Sequence, residues 1–427
     1  MFARSLSWFV AAAFFTCAAP IGSAQEFALK KGDVVVMMGD SITEQRLYST
    51  YVELWSQTRY PSHNLVFRNV GIGGDRSTGG NGRFKRDVLP HKPTVLTVDF
   101  GMNDGNYNLK AFDEKSFATY MKGLQGIADQ AKAAEIHVAW ITPQPVEHNP
   151  GAPAEAYNAT LEKFSAGVGE IAKKNNGLFV DQFHPYWAVI KKARDAGEKG
   201  RITGGDAVHP GPAGQAVMAA AILQGMSFSK DVSTVSVTVD LRMATHVVVN
   251  RGCEVTDFAI KDGGVRFQRK DLALPFFPEQ AKSILKWTPL LEDMNDYGLK
   301  VAGLNGGKYE VKYDGKKIAE YTDKELAAGV NLAGAALSVG PIADQVKEIV
   351  KAVTDKTNYY HGQIYSPLIL QRNIAKNPDF KDVAKEDVAK RRDALIVERT
   401  AKMPELDAAI RKALAPRSRL VEIVPAK

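Results

Sequence analysis

Between Lys31 and about Ser227 the chain alternates short, almost wholly apolar runs with segments whose apolar residues recur at helical spacing, and few folds accept that rhythm. An apolar run with no polar alternation is a strand buried on both faces, and an amphipathic segment after it is a crossover that packs back onto the sheet. Strands are read at Val34 to Met38, Leu65 to Val70, Val95 to Phe100, Val138 to Ile141 and Leu178 to Asp181. Among them, Leu47, Tyr51, Leu54 and Trp55 mark one helix and Phe117, Tyr120, Leu124 and Ile127 a second, while Tyr157, Leu161, Phe164, Val168 and Ile171 mark a third. The pattern predicts an α/β fold, a flavodoxin-like three-layer α/β/α sandwich around a parallel sheet, with the ligand site beyond the carboxyl ends of the strands.

At 427 residues the chain exceeds one ordinary domain, and its texture changes near Ser229. Val235, Val237, Val239 and Leu241 alternate as in a strand with one exposed face, and Asp262-Gly263-Gly264, Asn305-Gly306-Gly307 and Asp314-Gly315 read as hairpin turns. Further on, Val346, Ile349, Val350 and Val353 recur at helical spacing, and Val383 to Met403 reads as a longer helix that Pro404 interrupts. The expected organisation is a signal over 1–24, an α/β domain over 25–228, and an accessory region over 229–427 that is β-rich at about 230–330 and helical at about 341–415.

The first 24 residues carry one positive charge at Arg4, an apolar stretch from Trp8 to Ala19 and a small-residue end, Gly22-Ser23-Ala24, which together read as a cleavable secretory signal. The apolar stretch is shorter than the roughly 20 residues that span a bilayer, so a secreted or periplasmic protein without stable membrane insertion is expected. Phe14-Phe15-Thr16 ahead of Cys17 suits lipid attachment poorly. Cleavage leaves Cys253 as the single cysteine, which rules out an intramolecular disulfide. The net charge of +7 is scattered rather than gathered into a tract, so no nucleic-acid partner is implied.

Four short blocks stand at the ends of the expected elements. Gly39-Asp40-Ser41 ends the first strand where a helix begins, and Asn69-Val70-Gly71-Ile72-Gly73-Gly74-Asp75 follows the second. Gly101-Met102-Asn103-Asp104 follows the third strand, and Asp206-Ala207-Val208-His209-Pro210 precedes a late helix from Ala213. Singly each is an ordinary turn or cap. Jointly, in this order and context, they resemble the signature blocks of the SGNH (GDSL) hydrolase superfamily over about residues 30–227.

That resemblance implies a serine esterase. Ser41 would be the nucleophile and His209 its base, with Asp206 on the other ring nitrogen fixing the tautomer. The oxyanion would be met by the backbone amides of Ser41 and Gly74 and by the side-chain amide of Asn103, which offers hydrogens that an aspartate could not. Family spacing selects Gly74, the last glycine of Asn-x-Gly-x-x-Gly. Asp40, Gln144 and His148 are candidates for substrate contact. The expected reaction needs no metal or other cofactor. It is carboxylester hydrolysis through an acyl-serine, with an acylated small molecule or polysaccharide, foremost an acetylated carbohydrate, as substrate. A lysophospholipase, a thioesterase or an O-acetyltransferase remains the alternative.

Competing motifs are weaker. Ala336-Leu337-Ser338-Val339-Gly340 imitates a nucleophile elbow but follows no clear strand, although His361 comes after it. Ser283-Ile284-Leu285-Lys286 has Ser-x-x-Lys spacing and reads as an ordinary helix, while His63, His91, His137, His184, His246 and His361 read as structural. No His-Glu-x-x-His, Cys-x-x-Cys or Walker-type loop occurs. A non-enzymatic alternative is a polysaccharide-binding protein with an idle hydrolase core, to which an aromatic platform of Trp287, Tyr297, Tyr309, Tyr313, Tyr359 and Tyr360 would contribute, although aromatics scattered in this way read better as core packing.

Overall fold

The computed structural model describes residues 26–106, 112–147 and 154–426. The signal reading of 1–24 and the candidate His148 lie outside them.

Five strands, β1 (Val34–Gly39), β2 (Val66–Asn69), β3 (Val95–Asp99), β4 (His137–Ile141) and β5 (Leu178–Val180), form a parallel sheet in the order β2-β1-β3-β4-β5. Among the described residues seven α-helices accompany it: α1 (Ser41–Glu44), α2 (Leu47–Arg59), α3 (Ser77–Asp87), α4 (Glu114–Ala133), α5 (Ala154–Lys174), α6 (Phe183–Asp195) and α7 (Pro212–Gly225). Strand alternation assigns the two covers: Val35 and Met37 join the core shared with α2 and α7, whereas Val36 and Met38 join the core shared with α3 and α4. Strands covered on both faces are largely apolar, which is why the sequence reading located all five. Strand order reverses between β1 and β3, where Met37 pairs with Asn69 on one side and Gly39 with Asp99 on the other. The segments that follow those strands therefore meet at one edge, at the point where such sheets bind ligands.

Beyond α7 the chain builds two further sheets. A four-stranded sheet takes β6 (Asp231–Asp240), β7 (Thr245–Arg251), β10 (Asp296–Ala302) and β13 (Val330–Asn331). A five-stranded one takes β8 (Cys253–Lys261), β9 (Gly264–Asp271), β11 (Lys308–Tyr313), β12 (Lys316–Thr322) and β14 (Ser418–Pro425). Small helices α8 (Leu290–Met294), α9 (Asp323–Ala328) and α10 (Ala333–Ser338) are interspersed, and α11 (Pro341–Tyr359), a π-helical stretch Tyr360–Ile369, α12 (Val388–Thr400) and α13 (Met403–Ala413) precede β14.

The β-rich reading of this region holds, with three corrections of detail. Asp262-Gly263 and Asp314-Gly315 turn hairpins, but Asn305-Gly306-Gly307 joins β10 to β11 in different sheets. The same turn residues serve both geometries, so composition cannot separate them. The expected helix over 383–403 starts only at Val388 and stops at Thr400, with Pro404 in the first turn of α13, where its missing N–H costs nothing. Ser283 lies in a 3-10 stretch, Glu279–Lys286.

The later region shares its core with the first. Trp55 of α2 meets Phe276 and Phe277 edge-on, with ring centroids 5.3 and 6.2 Å apart. Every residue of α7 from Ala213 to Leu223 is buried, as expected of a helix covered on opposite faces by the sheet and by residues such as Ala281 and Ile284. Lys356 of α11 places its ammonium 2.6 Å from both oxygens of Glu53 in α2, with both side chains almost fully buried. The aromatic residues of this region follow the core-packing reading, not the platform alternative. Trp287, Tyr297, Tyr309, Tyr313 and Tyr360 are buried in the core, because their rings fill the space between packed layers. Among the described residues no helix is long and apolar enough to cross a membrane.

Candidate active site

Ser41 opens α1 directly after β1. Asp40 caps that helix, its carboxylate accepting the Ile42 N–H at 2.9 Å, which leaves the Ser41 hydroxyl free to face outward. The Ser41 Oγ lies 2.9 Å from Nε2 of His209, 168 residues further along the chain. Behind the ring, Oδ2 of Asp206 is 2.9 Å from Nδ1. Asp206 and His209 form a closed local unit: Oδ1 accepts the backbone N–H groups of Val208 (2.8 Å) and His209 (2.7 Å), and the Asp206 N–H donates to the His209 carbonyl (3.1 Å). Gly205 makes this turn possible, since it sits at φ 66° and a Cβ there would lie 2.1 Å from the His209 carbonyl oxygen.

The loop is pinned from below. Gln144 donates to the Val208 carbonyl (3.2 Å), Gln215 to the Pro210 carbonyl (3.0 Å), and the Glu147 N–H to the Ala207 carbonyl (3.0 Å). Burial acts to raise the Asp206 pKa, but the hydrogen bonds from His209 and Val208 outweigh it and hold the carboxyl below its ordinary value. It is therefore ionised wherever an imidazolium would need it, although its side chain is 63% exposed and its field is partly screened.

The other two blocks reach the same edge. Asn69 fixes the second: its amide donates to the Thr43 carbonyl and to the Ser49 hydroxyl, each at 2.7 Å, and its oxygen accepts the Gly71 N–H at 3.0 Å. Gly74, on the exposed turn that follows, adopts φ 74°, a conformation only glycine takes without cost. Asn103 is buried, with its NH2 group 3.0 Å from the Asp75 carbonyl and 3.2 Å from Asp40 Oδ2. Arg83 ties the blocks together by donating to the Val70 carbonyl (2.6 Å), the Gly39 carbonyl (3.1 Å) and Asp75 Oδ2 (2.7 Å).

Three buried carboxyls lie beneath this edge. Burial pushes Asp40 up to about 7, against the Ile42 hydrogen bond and with Asp104 and Asp75 adding to it. Burial likewise pushes Asp104 up to about 6 despite its bonds from Ser77, and Asp99 well above its ordinary value, with Asp40 adding to it. Asp40 and Gln144 are 3% and 1% exposed and are engaged within the protein, so both stand behind the reactive edge rather than on it.

Of the competing motifs, Ser338 ends α10 and donates to the Gly334 carbonyl at 2.8 Å, while His361 stands beside Glu44. Sequence reasoning missed Glu44, Arg83 and Tyr365, which touch the loops of the site, and Arg372, which holds Glu44. A cleft of about 840 Å³ between α2 and α11 is lined by neither Ser41 nor His209, so its size says nothing about the acyl group.

A parallel sheet whose carboxyl edge gathers a hydroxyl, an imidazole and amide donors belongs to the α/β ester hydrolases. Residues 37–217 match the GDSL-like Lipase/Acylhydrolase family, and the α/β domain that they span is that of an ester-hydrolysing enzyme of the SGNH type. It is 27% identical over 216 residues to the acetylxylan esterase of Geobacillus stearothermophilus, a match spanning 46% of this chain and 95% of that protein. The fold is also similar to that of BT4096, a gut microbial diltiazem-metabolizing enzyme, with a TM-score of 0.78 at 24% identity over 93% of this chain and 98% of the other. That likeness extends through the accessory region and concerns the fold alone.

Proposed function

We propose that the chain is an exported serine carboxylester hydrolase that removes acetyl or other short acyl groups from a carbohydrate, with Ser41 as nucleophile. The observation that carries this reading is the continuous hydrogen-bonded relay from Ser41 through His209 to Asp206. His209 Nε2 takes the hydroxyl proton as Ser41 Oγ bonds to the ester carbonyl carbon, and Asp206 stabilises the imidazolium that results. The charge on the carbonyl oxygen is met by the amides of Ser41, Gly74 and Asn103. As the bond to the leaving alcohol breaks, His209 returns the proton to that oxygen. Water, deprotonated by the same imidazole, then attacks the acyl-serine and releases the carboxylic acid and the Ser41 hydroxyl.

The carbohydrate assignment is supported by the name of the acetylxylan esterase relative. Residues 25–228 carry the chemistry and 229–427 act as an accessory region. The test is a hydrolysis panel of acetylated xylan, pectin, peptidoglycan, short p-nitrophenyl esters and lysophospholipid, run with wild type and Ser41→Ala. Turnover of short acyl esters and acetylated glycan that vanishes in the variant is expected. Equal turnover by both proteins overturns the assignment.

A further inference from the structure

Glu44 stands one helical turn beyond Ser41, and its carboxylate joins the nucleophile helix to the loop that bears Gly74. Oε2 accepts the Gly73 N–H at 2.6 Å. The side chains around that carboxylate come from the accessory region: Arg372 engages both oxygens, with Nη1 on Oε1 and Nη2 at 3.3 Å from Oε2, and His361 Nε2 lies 3.6 Å from Oε1. Burial of Glu44 is outweighed by these partners and by the Gly73 N–H, so its pKa falls to about 2 and the carboxylate is charged at any working pH.

The backbone around Arg372 is shaped for this contact. Gln371 and Asn373 on either side take φ 54° and 55°, left-handed values that cost a non-glycine residue energy and persist only where surroundings enforce them. The π-helical stretch Tyr360–Ile369 leads into this turn, and such segments recur at functional sites. The same stretch supports the loop a second time, because the Tyr365 hydroxyl, which accepts from Arg83, has both the Val70 carbonyl oxygen (3.1 Å) and Asp87 Oδ2 (2.9 Å) within reach of its one proton.

We propose that Arg372, with His361, is a positioning residue of the esterase site: it fixes Glu44 so that the Gly73-Gly74 turn holds its N–H group toward the oxyanion. The accessory region thereby completes the oxyanion hole without touching substrate. This rests on the assignment of Ser41 and Gly74 above. A bidentate guanidinium is required because Glu44 must be held through both oxygens while Oε2 also receives the Gly73 N–H.

The test is steady-state kinetics on a short p-nitrophenyl ester with wild type, Arg372→Ala, Arg372→Lys, Glu44→Ala, the Glu44→Ala/Arg372→Ala double variant and Ser41→Ala, with melting temperatures alongside. Loosening one oxyanion donor without deleting it should lower kcat about tenfold in Arg372→Ala, with KM within about twofold. Lysine should recover part of that loss, and Arg372→Ala should cost nothing further in the Glu44→Ala background. An unchanged kcat in folded Arg372→Ala overturns the proposal, and so does a rise in KM alone, which would make Arg372 a substrate contact. Turnover retained by Ser41→Ala overturns the nucleophile assignment instead, so the two failures are distinguishable. Arg372 is 39% exposed, and if Arg372→Ala nonetheless fails to fold, Arg372→Lys is read in its place: full wild-type kcat with Glu44→Ala also unimpaired overturns the clamp.

Discussion

Asp40 provides a test of the buried acid edge in which the sign and the size both follow from its surroundings. An unfolded chain titrates this carboxyl near its ordinary value of 3.8, whereas burial in the native state pushes it up to about 7. Because the folded value is the higher one, the native state binds the proton more tightly. The stabilisation is complete below about pH 4 and is lost as pH rises through about 7. The gap corresponds to about 4 kcal/mol as an order of magnitude. Asp40→Asn removes the titration but keeps an oxygen for the Ile42 N–H, and it adds a fixed cost from setting an amide NH2 against that of Asn103. The fixed cost does not vary with pH. Urea unfolding of both proteins between about pH 4 and about pH 8 should show the variant gaining on wild type by about 4 kcal/mol across the range, most of it between pH 4 and 7. Asp104 and Asp99 act in the same direction, since removing the charge at position 40 eases their ionisation. A difference that stays flat, or that moves against the variant as pH rises, refutes the reasoning.

Other expectations follow from single contacts. Asn103→Ala deletes the proposed side-chain oxyanion donor and should lower kcat about a hundredfold to a thousandfold with little change in KM, measured on short esters. Asp206→Asn should lower kcat at least about tenfold by disfavouring the imidazolium, read from kcat at saturating substrate. Lys356→Met leaves Glu53 buried without its partner and should cost about 3–5 kcal/mol in urea unfolding, and Glu53→Leu added to it should recover most of the loss.

The α/β half was legible because its strands are short and mostly apolar and three of them, β1, β3 and β4, are followed by helices of clear apolar periodicity, whereas α3 and α6 went unread. The residues offered for the site were legible for the same reason: Ser41, Gly74, Asn103 and His209 each lie within a few residues of a strand end or a helix start. Elements whose partners are remote in sequence were not. β14 inserts between β9 and β11, and nothing in Ser418–Pro425 names strands that precede it by more than 100 residues. Asn305-Gly306-Gly307 has hairpin chemistry yet bridges two sheets. Glu44 and Arg372 meet across 328 positions, and a single glutamate and a single arginine carry no motif. Trp287, Tyr297, Tyr309, Tyr313 and Tyr360 are buried, as the core-packing reading expected, because a sandwich core needs large side chains on its inner faces, a demand that alternation satisfies at Tyr309 and Tyr313.

The central claim is that Ser41 carries the acyl group, and the most direct measurement is to trap that group. Wild type treated with a fluorophosphonate ester, which leaves a stable phosphonyl adduct on an activated serine, should gain one adduct by intact mass, and peptide mapping should locate it on Ser41. Pretreatment should abolish ester turnover, and Ser41→Ala should take up no label. An adduct on Ser338 or another residue, or full turnover with Ser41 blocked, contradicts the account.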